Sequence, residues 1–485
     1  MMRRRPPGGN ESALVLSKKV LWCLTGGLFT LFLVAWNVHF GEMLTVNMPL
    51  DYGEGGTLQC AALIHQGLPL YPDYAKPPYW INPYTPLYLW LVSLTQGPIP
   101  SFAGGRALSF LATLATVAVP FWAYGKRWQN VAFACLFLVS PLVFNWSCLC
   151  RVDCLALFFT MAGLLLLEKR PSPFPAGLCF ILAIWTKQSF LAAPLASVIY
   201  LAFTDRKKCL RLTLFLGALV SLSLGLWQWS SEGGFFHVQS AFMLRWPPNE
   251  PGQAWYFLGH YAPLEALLVP FALWAATRPE HRLWGCYLLV DLFWLRGCGR
   301  PGAFYNYFLE IHLALSWLAA QAAQGPRWSW LVPLQMATLG GCLSLPPYLF
   351  SVRQYLVYET WPVFQLKQPV YVQRLEKQGA DIKAILDQNP GPVLAENLGL
   401  PLAYGRFSAF CDPFIYSVLF RTGSVDVESM RSWIRAQGPA VVILQRRAGQ
   451  GNVRLPEEPL QDIEEHYQVE GRFGEEWVMV RGKRG

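Results

Sequence analysis

Charge is scarce in this sequence. Asp, Glu, Lys and Arg make up only 14% of 485 residues, hydrophobic residues make up 53%, and histidine occurs seven times. Soluble domains carry about 25% charged residues, so the deficit excludes an ordinary soluble enzyme for most of the chain. Mean hydropathy, at +0.28, agrees. Metal-ligand spacing is also lacking. The twelve cysteines form no framework; Cys23, Cys135, Cys179, Cys286 and Cys342 lie inside apolar runs, where a free thiol acts as a small hydrophobe. Cys148, Cys150 and Cys154 cluster, but no histidine accompanies them, which weighs against a metal site. The first apolar segment, Val20–His39, has no small-residue cleavage site after it and reads as an uncleaved anchor. No internal repeat is evident, which weakens a transporter built from inverted halves.

What is present is a series of apolar runs between Val20 and Phe350, each near the roughly 20 residues that a bilayer crossing needs. The fold class expected is an all-α polytopic membrane protein. The net charge of +9 is not spread as a nucleic-acid-binding face would be. Its basic clusters sit between apolar runs: Lys126/Arg127, Lys169/Arg170, Arg206/Lys207/Lys208/Arg211, Arg278/Arg282 and Arg327. That is a positive-inside pattern, with the N-terminus in the cytoplasm.

Threading the chain on that rule gives about 11 spans. Val20–His39 goes out and Gly41–Phe102 stays outside. Ala103–Tyr124 returns, Val131–Trp146 goes out, and Val152–Leu167 returns. Ala176–Phe203 carries Lys187 near its middle and has basic residues on both flanks, so it reads as a hairpin of two short helices with Thr186-Lys187-Gln188 at the outer turn. Leu210–Ser230 goes out to a polar loop, Ser231–Gln253. Trp255–Thr277, Leu283–Leu295, Phe304–Gln321 and Trp328–Phe350 then alternate, leaving the C-terminus outside.

Residues 351–485 lack any spanning run and read as a small α/β soluble domain outside the cytoplasm, following a membrane domain over 1–350. Pro392–Glu396 and Ala440–Leu444 are candidate strands. The stretch between them has helical periodicity from Asp426, a plausible N-cap, to Gly438, and YQVEGRFGEEWVMV reads as a hairpin. Glu396 and Asn397 end a strand, where open α/β sheets often meet ligands.

The richest stretch follows the first span. Asp51 and Glu54 stand just past its end, where carboxylates are costly unless solvated, paired or used. DYGEGGTLQCAALIHQG reads as a short helix stopped by Gly67, and Asp-x-x-Glu is also a capping pattern, so capping competes with chemistry for both acids. The Pro/Tyr-rich stretch Pro77–Tyr88 cannot be regular helix throughout and is expected to lie on the outer membrane surface, where aromatic rings settle.

The same threading collects other polar groups on the outer face: His65, Asp73, Arg151, Asp153, Lys187, Gln188, Arg245, Arg296, Arg300, Asn306 and Glu310. Several have duller readings. Arg296 and Arg300 can cap or snorkel at a helix end, Arg151 and Asp153 can be a local pair, and His65 on a surface helix need not be a ligand. Together they form a carboxylate facing fixed cations, which transfer from a phosphate leaving group requires: the acid deprotonates an acceptor hydroxyl, and the cations hold the phosphate.

In their order along the chain, DYGEGGTLQCAALIHQGLPLY, PYTPLY, GGRALSFLATLATV, RVDCLALFFTMAGL, AIWTKQSFLAAPLA and FYNYFLEIHLALSW resemble the GT-C type of polytopic glycosyltransferase. That group includes protein O-mannosyltransferases, lipid A aminoarabinose transferases and RgtA/B/C/D-like bacterial enzymes. The resemblance implies a sugar donor linked to a polyprenyl phosphate, a lipid or glycan acceptor, and inversion at the anomeric carbon. It places the catalytic acid at Asp51, with Glu54 the nearest alternative, and a second acid for donor or metal binding at Asp153. Lys187 would bind the donor phosphate with Arg151 or Arg300, while Gln188, Asn306 and Glu310 would line the cavity. The family's adjacent Asp-Glu pair is absent, because Tyr52 follows Asp51, and this leaves a divalent metal open. The setting implied is a bacterial inner membrane, with membrane lipids as partners and no nucleic acid. Rival readings are a flippase for a lipid-linked sugar and a non-catalytic envelope-assembly protein.

Overall fold

The computed structural model describes residues 9–244, 247–323, 330–335, 370–436, 438–446 and 454–482. Arg245, Arg327, Cys342 and most of the expected Trp328–Phe350 span lie outside them. The first half is helical. It runs α1 (Gly9–Thr45), α2 (Tyr52–His65), α3 (Pro86–Ser93), α4 (Ala103–Tyr124), α5 (Trp128–Leu138), α6 (Pro141–Ser147) and α7 (Asp153–Lys169). It continues as α8 (Phe174–Thr186), α9 (Ala192–Thr204), α10 (Arg206–Ser230), α11 (Gly234–Leu244), α12 (Pro251–Glu265), α13 (Leu268–Ala276), α14 (Arg282–Trp294) and α15 (Phe308–Ala322).

Among the described residues three helices are long and apolar enough to cross a bilayer singly: Cys23–Thr45 within α1, α4 and α10. Several of the other expected spans are broken or short. Val131–Trp146 divides into α5 and α6, bent by 77°. Pro141 brings no N–H, so the Phe137 carbonyl loses its helical partner. His312 Nε2 stands 3.1 Å from that oxygen, where an Nε2–H replaces the missing donor, while its Nδ1 lies 2.7 Å from Glu265 Oε1. Interior helix breaks are tolerated when neighbouring side chains satisfy the backbone in this way. Trp255–Thr277 divides into α12 and α13, and the loop expected at Ser231–Gln253 contains α11.

The hairpin reading of Ala176–Phe203 matches α8 and α9, with Lys187 at the α8 C-cap. Lys208, at the start of α10, donates to the carbonyls of Leu167 at 2.9 Å and Arg170 at 3.0 Å. The basic flanks before α8 and after α9 therefore lie together, as a hairpin requires.

The C-terminal part comprises α16 (Val370–Lys377), α17 (Gly379–Gln388), β1 (Val393–Ala395), α18 (Gly399–Leu402), α19 (Pro413–Arg421) and α20 (Val427–Ala436). After these come β2 (Val441–Gln445), α21 (Glu457–His466), β3 (Tyr467–Phe473) and β4 (Glu476–Arg481). The sheet order is β1-β2-β4-β3, with β1 and β2 parallel and the other pairs antiparallel. Asp426 accepts from Glu428 N at 3.0 Å and caps α20, so these elements stand where periodicity put them.

The Pro/Tyr-rich loop departs from expectation. Tyr71, Tyr74, Tyr79 and Ile81 are buried against Phe410, Ile415 and Tyr416 of the C-terminal part. Their hydroxyls find backbone partners: Tyr71 donates to the Tyr84 carbonyl at 2.8 Å, and Tyr416 donates to the Tyr74 carbonyl. A buried Tyr needs such a partner, and here protein supplies it where a bilayer surface was expected to.

Within the sheet, burial pushes the Glu476 carboxyl up to about 7, helped by the neighbouring Glu396. A carboxyl raised in the folded state binds its proton more tightly there than in the unfolded chain, so its contribution favours folding at low pH and is lost as pH rises through about 7. Glu476→Gln should therefore gain thermal stability over wild type at about pH 8 and little at about pH 4, as melting curves at both pH values would show.

Candidate active site

The start of α2 is built by its own sequence. Asp51 is extended (φ −135°, ψ 147°) and caps the helix, its Oδ1 accepting from Gly53 N at 3.1 Å. Glu54 stands three residues on and shares Asp51's side of the helix, as i and i+3 must.

Glu54 is the more deeply held acid. Its Oε1 accepts from Arg106 Nε at 2.9 Å and Cys150 N at 2.6 Å. Its Oε2 accepts from Arg106 Nη2 at 2.9 Å and Leu50 N at 2.7 Å. Arg106 spends its other N–H groups on the carbonyls of Met43 at 2.7 Å, Val46 at 2.6 Å and Met48 at 2.7 Å. Both side chains are 0% exposed. Glu54, expected beside Asp51 as a catalytic acid, is thus placed as an anchor joining the end of α1 to α2, α4 and the segment before α7. Arg106 lies in the GGRALSF motif, which carries no local sign that Glu54 is its partner. A lone Arg opening an apolar span was the available signal.

Asp51 differs. Its Oδ1 also accepts from Arg151 Nη1 at 3.0 Å, the carboxylate side chain is 25% exposed, and among the described residues no hydrogen bond reaches Oδ2. Gly53 makes this approach feasible, since a Cβ there would fall 1.2 Å from Arg151 Nη1. Burial raises the Asp51 carboxyl while Arg151 lowers it, with the net direction upward.

Asp153, at the start of α7, is fully buried. Its Oδ1 accepts from Lys187 Nζ at 2.6 Å and Asn306 Nδ2 at 2.8 Å, and Oδ2 accepts from Trp146 Nε1 at 3.2 Å. Tyr84 feels both Arg151 and Lys187, which places the two ion pairs in one neighbourhood; burial pushes its phenol up. Lys187 also lies 5.3 Å from the Tyr307 ring and 5.6 Å from the Phe190 ring.

Both cations keep donor capacity. Lys187 Nζ makes one hydrogen bond, to Asp153. Arg151 Nε is a buried donor with no partner among the described residues. Buried polar groups are normally satisfied, so an oxyanion between Lys187 and Arg151 would complete them.

Of the other expected residues, Gln188 and Glu310 stay near these ion pairs, Glu310 within electrostatic reach of Lys187 and Asp153, and the rest are dispersed. Gln188 Nε2 holds the Pro83 carbonyl, and Glu310 Oε1 accepts from Tyr287 at 3.0 Å. Arg300 is exposed, its carbonyl held by Gln253 Nε2 at 3.0 Å, and its loop reaches the C-terminal part at Gly302, beside Phe414. His65 contacts the Ser93 carbonyl, Asp73 pairs with Lys76, and Arg296 lies over Phe293. Among the described residues no group of three or more His, Cys, Asp or Glu is arranged for a metal. Asp51 and Asp153 already face cations, so this donor set does not fit a metal ion.

No protein-family model matches the chain, and no curated protein matches it in sequence. Solved structures do. The apo crystal structure of ArnT from Cupriavidus metallidurans is similar with a TM-score of 0.65 at 16% identity, covering 94% of this chain and 98% of that one. ArnT from the same organism bound to undecaprenyl phosphate is similar with a TM-score of 0.63 at 16% identity, covering 95% and 99%. The chain has the GT-C fold. That likeness extends through the C-terminal part as well as the helices, since nearly all of both chains is covered.

Breaking the buried pair should be costly. Arg106→Ala leaves Glu54 charged and unpaired, a loss of about 3–5 kcal/mol. Thermal unfolding in detergent should show a markedly lower midpoint than Arg151→Ala, whose partner Asp51 keeps access to solvent.

Proposed function

We propose that this chain is an integral-membrane glycosyltransferase. It moves a sugar from a polyprenyl-phosphate donor to a hydroxyl of a lipid or glycan acceptor at the extracytoplasmic face, with inversion. The observation carrying this reading is the contrast among three acids: Glu54 and Asp153 have both oxygens engaged, while Asp51 keeps Oδ2 unbonded among the described residues and part-exposed. Asp51 is the group able to take a proton.

Asp51 Oδ2 removes the acceptor's hydroxyl proton as that oxygen attacks the anomeric carbon from the face opposite the phosphate. The bond from the anomeric carbon to the phosphate oxygen breaks, and the leaving polyprenyl phosphate keeps the electron pair. Lys187 and Arg151, each with unused donors, stabilise that charge. Asp153, fixed by Trp146 and Asn306, holds Lys187 in place. Glu54 keeps Asp51 in position. The ArnT structure bound to undecaprenyl phosphate supports a donor of this class. The site lies where residues 41–102 meet the two parts, 1–350 and 351–485. The proposed setting is a bacterial inner membrane, with the N-terminus cytoplasmic and the C-terminal part outside.

One observation favours the flippase reading: Glu265, Asp291, Glu310 and His312 are buried ionisable groups on α12, α14 and α15. Two of them have a structural explanation, because His312 repairs the backbone at Pro141 and Glu265 holds His312.

Purified protein with radiolabelled polyprenyl-phosphate sugars and candidate acceptors tests the proposal. Asp51→Asn should lose about 10²–10⁴-fold in transfer yet still bind polyprenyl phosphate, and undiminished transfer would exclude Asp51 as base. Lys187→Ala should weaken polyprenyl-phosphate binding about tenfold or more, measured by equilibrium titration. Because burial holds the Asp51 carboxyl high, wild-type kcat/KM should fall on acidification at a pH above the ordinary carboxylate range. Movement of label between leaflets with no acceptor product would favour the flippase.

A further inference from the structure

Tyr52 follows Asp51 directly, and it faces the other way. One helical step is about 100°, so when Asp51 and Glu54 turn to the membrane helices, Tyr52 turns to the C-terminal part. Its hydroxyl donates to Asp412 Oδ1 at 2.8 Å and accepts from Phe414 N at 3.2 Å. Asp412 is itself the cap of α19, its Oδ1 accepting from Phe414 N at 3.0 Å and Ile415 N at 3.2 Å. A single phenol thereby joins the N-termini of α2 and α19. Above the ring lies Arg454, its guanidinium carbon 3.9 Å from the centroid, and Arg454 Nη1 is tied to Gln445 Oε1 at 2.7 Å.

The contact continues along α2. Gln59 Nε2 donates to the carbonyls of Ser408 at 3.0 Å and Phe410 at 2.6 Å, and its Oε1 accepts from Ser408 N at 3.0 Å. Gly55 and Gly56 permit the approach, since added Cβ atoms would fall 2.5 Å from Gly399 N and 2.8 Å from the Cys411 carbonyl.

We propose that Tyr52 and Asp412 are positioning residues for Asp51: the C-terminal part latches the first turn of α2 so that Asp51 presents Oδ2 to the acceptor while Arg151 holds Oδ1. This rests on Asp51 being the base. Glu54 and Arg151 hold the side of this turn that faces the membrane helices, and neither holds the side that faces the C-terminal part. Tyr52 is gripped on that second side. The C-terminal part then acts on the chemistry through the first turn of α2, where the Tyr52 hydroxyl is its contact nearest Asp51, without touching substrate. Reacting groups misplaced by about 1 Å can lose about a hundredfold in rate.

Tyr52→Phe keeps the ring under Arg454 and removes only the hydroxyl. With Asp412→Ala and the double variant, it is measured for kcat, for donor KM, for melting temperature, and for amide exchange in the peptide that starts α2. For Tyr52→Phe the expected result is a kcat lower by about tenfold to a hundredfold at unchanged donor KM and melting temperature, with faster exchange at the start of α2. Asp412→Ala, which also uncaps α19, should lower kcat alike and melt earlier. The double variant should fall no further than the worse single one, because both remove the same bond. Unchanged kcat overturns the proposal, even with faster exchange, since the bond would then be structural only. If wild type transfers no sugar from any polyprenyl-phosphate donor, the transferase reading fails separately. Exchange then decides whether the latch exists, and wild-type protection in Tyr52→Phe overturns it.

Discussion

The pair between Glu54 and Arg106 is the constraint on which the site depends. A buried charge must find a partner for each donor and acceptor or pay heavily in lost solvation. Arg106 meets the condition by reaching both Glu54 oxygens and three carbonyls at the end of α1. The Cys150 N–H completes Glu54 from the segment before α7. Three pieces of chain far apart in sequence, Met43–Glu54, Arg106 and Cys150, are thereby set in one register, and both Asp51 and Arg151 sit within a few residues of it.

Around that anchor the charged groups divide by what they have left to give. Glu54 and Asp153 are saturated. Asp51, Lys187 and Arg151 are each held at one end and unfilled at the other. Fixed groups with spare capacity are what preorganised electrostatic catalysis consists of, because no reorientation is needed when charge develops. The GT-C fold brings these groups together from α2, the start of α7, the α8–α9 hairpin and the segment before α15.

Much of this was legible in the sequence, for reasons of pattern. Lys187 between basic flanks implied a hairpin, the apolar run of α4 ended where its helix ends, and Asp51, Arg151, Asp153 and Lys187 fell on one face of the threading. What escaped reading was long-range pairing. Arg106 and Glu54 are 52 residues apart, and Tyr52 and Asp412 are 360 apart; neither leaves a local periodicity. The Pro/Tyr-rich loop was misplaced for a related reason. Amphipathic rings suit a bilayer surface and a protein interface equally, and composition does not tell the two apart. Pro141 was a visible break, yet its 77° bend is stable because His312, far along the chain, serves the vacated carbonyl.

The α8–α9 hairpin sets a depth. Its arms are 13 residues each, about 20 Å of helix at 1.5 Å per residue, while the hydrocarbon core is about 30 Å thick. If the tied base sits at the cytoplasmic face, as proposed, the tip bearing Lys187 would stop short of the outer surface, within the outer leaflet. On the proposed function a phosphate there would be reached sideways, by a molecule already dissolved in the lipid. A water-borne nucleotide sugar would instead have to descend through the protein, so short arms would favour a membrane-soluble donor.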